Sequence, residues 1–196
     1  MRSCPLRWWF SGFRRHACRG GWRLPMHSTQ LCTALRTPPL WDYALALYQR
    51  PGVADACLQL QDTAGADVCE LLWHCWLDHH GAVATDEAPD ALAEIRDWQT
   101  GVTQPIRRLR RQLKPRAQHE PDVAALRQHL KEAELLAERE TLRRYQAIAE
   151  TSQAVRARRA ADTDLATRLA RCLTTCGPPQ RAALTTLLTQ RAAHRP

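Results

Sequence analysis

Serine is scarce in this chain: Ser3, Ser11, Ser28 and Ser152 are the only four, and none stands in the most apolar stretch. A serine hydrolase is therefore a poor fit. The eight glycines are scattered. None builds a phosphate loop of the GxxxxGK[ST] or GxGxxG kind, which speaks against P-loop and Rossmann nucleotide sites. No apolar run approaches the roughly 18 residues that a membrane-crossing helix needs, so no membrane span is expected. No useful stretch alternates apolar and polar residues, so no strand is expected. CxxC is absent, and the first acid in the chain is Asp42.

What is present is a chain of 196 residues, 44% hydrophobic, which is enough for a core. The formal charge is +8, from 28 Lys+Arg against 20 Asp+Glu. Arg2, Arg7, Arg14, Arg15, Arg19 and Arg23 supply six of those excess charges, leaving only +2 for the rest. A nucleic-acid reading from the isoelectric point alone therefore fails. Trp8-Trp9-Phe10 is too short for the apolar stretch of about 7–15 residues that a secretory signal needs. A transit peptide is Arg-rich and acid-poor, which fits, but it is also Ser-rich and amphipathic. Met26 is an alternative translation start. Residues 1–34 are expected to form a basic flexible leader. The eight cysteines, with no export signal, imply a reducing cytoplasm rather than a disulfide framework.

Helical periodicity carries the remainder. Thr37-Pro38-Pro39 reads as the start of a first helix, with Thr37 as N-cap. Trp41, Ala44, Leu45 and Tyr48 follow on one face, and Pro51-Gly52 stops it. A second helix is expected from about Val53 to Ala64, with Val53, Ala56, Cys57 and Leu60 inward and Gly65 as its left-handed exit. Asp67 then caps a third helix. That helix is apolar on two stripes (Val68, Leu71, Leu72, Cys75, Trp76 and Cys69, Trp73, Leu77), so it should be central and buried. His79-His80-Gly81 ends it, the histidines as cations at the negative end of the dipole. Residues 82–88 read as a loop.

From Pro89 the spacing sharpens. Leu92, Ile95, Gln99, Val102, Ile106, Leu109 and Leu113 recur at 3, 4, 3, 4, 3, 4 through Gly101 and Pro105. This predicts one long helix to about Lys114, bent at Pro105 because proline cannot donate to the Gly101 carbonyl. A second long helix is expected from Pro121, with Val123, Leu126, Leu130, Ala133 and Ala137 on one stripe, then Leu135, Leu142, Tyr145 and Ala149. The two make an antiparallel hairpin. Leu165, Leu169, Cys172 and Leu173, then Leu184, Leu187 and Leu188, mark weaker amphipathic segments. The class is all-α: a short helical cluster on a long antiparallel helical hairpin (35–150), then a helical, partly mobile tail (151–196).

The run from Trp41 to Tyr48, then Arg50-Pro51-Gly52-Val53, Ala56 to Asp62 and Gly65-Ala66-Asp67-Val68, resembles an uncharacterised family of small proteobacterial proteins. A second stretch is similar to it as well: Trp98-Gln99 through Pro105-Ile106-Arg107 and Leu109-Arg110-Arg111, then Lys131 to Leu135 and Ala137-Glu138-Arg139. The resemblance covers roughly residues 35–150. It implies the fold, no assigned activity and no catalytic residues. His74, and later His79 and His80, stand where the resemblance leads one to expect mostly apolar residues.

Three constellations remain. Cys75 and His79, like Cys172 and Cys176, are one helical turn apart, and the four together would suit a zinc ion. Neither pair has the tight knuckle spacing of a zinc motif, so no metal is expected. Asp78 with His79 or His80, or Cys69 with His74, can be written as a dyad, yet nothing supplies an oxyanion hole, so an enzyme is not favoured. Arg107, Arg108, Arg110, Arg111, Lys114 and Arg116 form a basic segment suited to phosphate or to an acidic partner. Glu132, Glu134, Glu138 and Glu140 on the returning helix are placed to face part of it. The reading that follows is a cytoplasmic, non-catalytic protein-binding or adaptor module that needs no cofactor. One alternative is a nucleic-acid or ribosome-associated factor using 107–116. A second is a small-molecule or lipid binder using a pocket around Trp41, Trp73 and Trp76, although plain core is the preferred reading of those tryptophans.

Overall fold

The computed structural model describes residues 29–151 and 153–193. The expectations for residues 1–25 therefore lie outside the described residues. The described residues are all-α apart from two three-residue strands. Helices α1 (Thr29–Ala34), α2 (Leu40–Tyr48), α3 (Val53–Ala64) and α4 (Val68–His79) come first. α4 is the centre: Leu71, Leu72, Trp73, Cys75, Trp76 and Leu77 are all buried, and α2, α3, α8 (Pro121–Thr151) and α9 (Leu165–Arg171) pack around it. Gly65 ends α3 at φ 61°, the left-handed exit its sequence implies. Asp67 caps α4, its side chain accepting from the Cys69 amide at 2.9 Å.

The start of the domain differs from expectation. α1 lies inside the expected leader, and Leu31 and Leu35 are buried in the core, so packed structure is under way before residue 35. Thr37 does not cap α2. The helix begins at Leu40, and the Leu40 amide donates to Gln146 Oε1 on α8 at 2.9 Å. The cap comes from 106 residues away, which no local pattern reveals. Residues 82–88 are not all loop either. β1 (Ala82–Ala84) pairs antiparallel with β2 (Val155–Ala157), Val83 opposite Arg156. Three residues are too few for a visible alternation.

The hairpin exists, but with a defect. After the short helix α5 (Ala88–Ala91), α6 (Ala93–Trp98) runs into a π-helical segment, Gln99–Thr103, and on into α7 (Gln104–Gln112). The Gln104 amide donates to the Gln99 carbonyl. Pro105 has no N–H for the Gly101 carbonyl, and the chain opens by one residue there. One extra residue turns the helix by about 100° relative to the α-helical phase. The buried seam then runs Leu92, Ile95, Thr103, Arg110. Leu109, expected on the seam, is 44% exposed. Pro115 and a 3₁₀ turn (Arg116–Gln118) lead into α8 (Pro121–Thr151). Its buried residues begin only at Glu134, so Leu126 is exposed rather than packed.

The tail, expected to be partly mobile, docks on the cluster. α9 (Leu165–Arg171) is capped by Asp164 and packs on α4, while α10 (Pro178–Ala192) packs on α3. Leu165, Leu169, Leu184 and Leu187 join the core. The Thr174 amide and hydroxyl both donate to the Ala64 carbonyl, at 3.0 and 2.8 Å. Buried Asp78, near the end of α4, pairs with Arg158, Arg168 and Arg191 from three parts of the tail. The acid these arginines meet is some 80–113 residues away, which no local pattern reveals.

Candidate functional site

Asp67 does more than cap α4. Its Oδ2 also accepts from Gln99 Nε2 at 2.6 Å and from the Tyr145 hydroxyl at 3.0 Å. One carboxylate thus ties α4, the π segment and α8 together. Beside it lies a cleft of about 230 Å³, walled by Gly65–Cys69, Gln99, Thr103, Gln104, Arg107 and Glu138. π segments of this kind recur at functional sites, since the inserted residue re-aims side chains.

The floor is charged and mostly dry. Glu134 is fully buried and accepts from Arg107 Nε at 2.8 Å, while its other oxygen pairs with Arg110 Nε. Arg107 Nη2 donates to Glu138 Oε1 at 2.6 Å. Burial works against the Arg107 charge, but Glu138 and Glu134 outweigh it and push its pKa up. Glu138 is pushed up to about 7, chiefly by burial, with Arg107 pulling it down and Glu134 adding to the rise. Its Oε2 is buried and has no hydrogen-bond partner among the described residues, and the same holds for Thr103 Oγ1. Near neutral pH, Glu138 is therefore able to accept or release a proton, and two polar atoms are left for a guest or a water to meet.

The six cations of the basic segment part company here. Arg107 and Arg110 bind Glu134 and Glu138, Arg111 reaches Asp62 at 2.8 Å, and Arg116 pairs with Glu120 at 2.8 Å. Arg108 and Lys114 are exposed and make no ion pair among the described residues. Glu140 turns to its own helix, binding Arg143 and Arg144.

Among the described residues, the weak zinc candidates Cys75, His79, Cys172 and Cys176 do not come together as one ligand group. Cys75 is fully buried, its thiol pushed up to about 12 by burial. The His79 ring lies against Tyr43 and His80, and Cys176 is exposed. Among the described residues, the grouping of three ligand-type side chains within 4.8 Å is Glu70, His74 and Cys172. His80 is not a cationic cap: burial, then His79, pushes it down to about 4. Of the two dyads, Cys69 lines the cleft while His74 joins Glu70 and Cys172, and Asp78 belongs to the arginine cluster. Trp73 and Trp76 are core, the latter donating to the Pro38 carbonyl at 2.9 Å, and no tryptophan lines the cleft beside Asp67. Trp41 carries the Arg139 guanidinium over its ring.

Sequence reasoning missed Thr103 and Glu138 as site residues. Their signal was a glutamate placed opposite Arg107, with Gly101 and Pro105 four residues apart. No membrane-length apolar helix occurs among the described residues. No curated protein and no solved structure matches the chain. A family model described as a protein of unknown function, DUF2390, matches residues 39–145, a span that holds Asp67, Gln99, Thr103, Arg107 and Glu138. That match covers more than half of the 196 residues, and the chain belongs to the DUF2390 family.

Proposed function

We propose that the chain binds a small polar molecule in the cleft between α4, the π segment and α8. The observation that carries this reading is Glu138, which keeps in the cleft wall a buried oxygen without a partner among the described residues. An unmet buried polar atom costs about 1–3 kcal/mol, and a ligand N–H or O–H is suited to meet it. Thr103 supplies a second unmet atom. The volume suits a molecule below drug size, with an amine, amide or hydroxyl as its head group. The role is binding rather than catalysis, in a reducing cytoplasm that suits the free thiols of Cys32, Cys75, Cys172 and Cys176. Ligand-detected NMR on mixtures of small amines, amides and polyols tests it. Compounds bound by the natural chain are expected to be released by the Glu138→Gln, Thr103→Val double variant. No binding at millimolar concentration, or equal binding by a folded double variant, overturns the reading.

A second reading keeps the hairpin as a protein-binding surface. In its favour, Leu109, Leu126 and Leu136 are exposed on the same hairpin as Arg108 and Lys114. Under it, a partner that co-purifies after RNase treatment is lost on replacing Leu109 and Leu126 by Ser. A partner seen only without RNase would favour nucleic acid.

A further inference from the structure

Glu70 and His74 stand one turn apart on α4, and Cys172 ends α9, which packs against that face. One ligand atom from each lies within 4.8 Å of the others. Tetrahedral zinc, with bonds of about 2.0–2.3 Å, holds its ligands roughly 3.3–3.8 Å apart. Closing the gap takes about 1 Å, within reach of rotamer adjustment. From these three side chains we infer a site for a divalent ion of the zinc class, joining α4 to α9.

The donor chemistry agrees. One nitrogen, one sulfur and one carboxylate are the mixed set that zinc accepts, whereas magnesium and calcium prefer oxygen alone. His74 Nδ1 is buried without a hydrogen-bond partner among the described residues. Burial, and to a lesser degree the nearby Arg168, hold the imidazole neutral, as a metal ligand must be. Burial and the charge of Asp67 raise Glu70, and burial with Glu70 and Asp67 raises Cys172 to about 12. Both acidic groups thus sit where positive charge is short, and a cation would relieve that. Among the described residues, the Cys172 thiol makes a long 3.5 Å hydrogen bond to the Arg168 carbonyl. Arg168 opposes a cation, but its guanidinium is engaged by Asp78 at 2.6 Å. Three protein ligands, all half-buried, leave a fourth position for water, the pattern of reactive rather than purely structural zinc. Binding would displace the thiol proton to solvent and leave a thiolate on the metal.

Cobalt serves as the optical probe. The full chain, stripped with chelator and titrated with Co²⁺, is expected to show a thiolate-to-cobalt charge-transfer band in the near ultraviolet with tetrahedral visible bands. Cys172→Ser abolishes the near-ultraviolet band, Cys176→Ser leaves it intact, and Glu70→Gln weakens binding. Circular dichroism shows which variants are folded, and Glu70→Gln decides the matter should Cys172→Ser not fold. Native mass spectrometry of chain purified with zinc checks for a retained ion. No band in the natural chain, a band that survives in Cys172→Ser, or full affinity in folded Glu70→Gln overturns the inference.

Discussion

Replacing Asp78 by Asn probes what holds the tail to the central helix. The Asp78 carboxylate is 4% exposed and faces three guanidiniums. Arg168 and Arg191 are 7% and 8% exposed, whereas the Arg158 side chain is 39% exposed. Asn keeps the shape but presents no charge, so two desolvated cations lose the one acid they pair with among the described residues. Breaking a buried pair from one side costs about 3–5 kcal/mol, because the remaining charge stays buried. Set against a typical total of about 5–15 kcal/mol, that is about a fifth of the stability or more. Arg158→Gln should cost below about 1 kcal/mol, since solvent already screens that pair. Urea denaturation followed by circular dichroism measures both. In a double-mutant cycle, adding Arg191→Gln to Asp78→Asn should cost less than the sum of the singles, since one stranded charge has gone. An unchanged m-value locates the loss in stability, while a smaller one means that the tail has already come away in the native state. The reasoning fails if Asp78→Asn falls within about 1 kcal/mol of the natural chain, or if the two substitutions are additive.

Two further outcomes follow from the cleft. Glu138 rises from an ordinary 4.5 to about 7 on folding, so the native state holds its proton where the unfolded chain has released it. Its contribution to stability is therefore highest below pH 4.5 and declines as pH climbs from 4.5 to about 7, by up to about 3 kcal/mol. Glu138→Gln removes that decline, and parallel stability–pH curves for the two chains would contradict it. Among the arginines, Arg110→Gln strands Glu134 with one partner, Arg107, and should cost about 3 kcal/mol, whereas Arg108→Gln should stay within about 0.5 kcal/mol. Equal melting temperatures for the two variants would mean that the seam has been misassigned.

Legibility in the sequence tracked locality. α3 and α4 were readable because everything that defines them lies within a few residues: the Gly65 exit, the Asp67 cap, and two apolar stripes that leave α4 nowhere to be but inside. The buried tryptophans followed from the same stripes. What failed were features completed from afar. Gln146 reaches back to start α2, β1 waits for β2, and Asp78 gathers arginines from three tail segments. At the C-terminal end of α4 the two histidines read as a dipole cap, and the partners of Asp78 beside them stay hidden until the distant cations arrive. The metal grouping shows the same split. Glu70 and His74, like Cys75 and His79, are one turn apart on α4, but it is the former pair that meets Cys172, and nothing in the local spacing separates the two.

The hairpin shows how one local defect shapes the site. An uninterrupted 3-4 spacing through Gly101 and Pro105 predicts Val102, Ile106 and Leu109 on the seam, and an unbroken α-helix would have put them there. Proline's missing donor makes the unbroken helix costly, and a single inserted residue removes the conflict. The price is phase: Thr103 and Arg110 take the buried places on the seam, Arg107 is half-buried beside them, and Leu109 turns to solvent. Buried cations demand acids, and Glu134 with Glu138, one turn apart on α8, meet them. Four carboxylate oxygens and two guanidiniums do not close every bond, however, and Glu138 Oε2 is left over. The polar cleft, its raised carboxyl and its unmet oxygen thus trace to the same Gly101–Pro105 pair that the apolar spacing ran straight through.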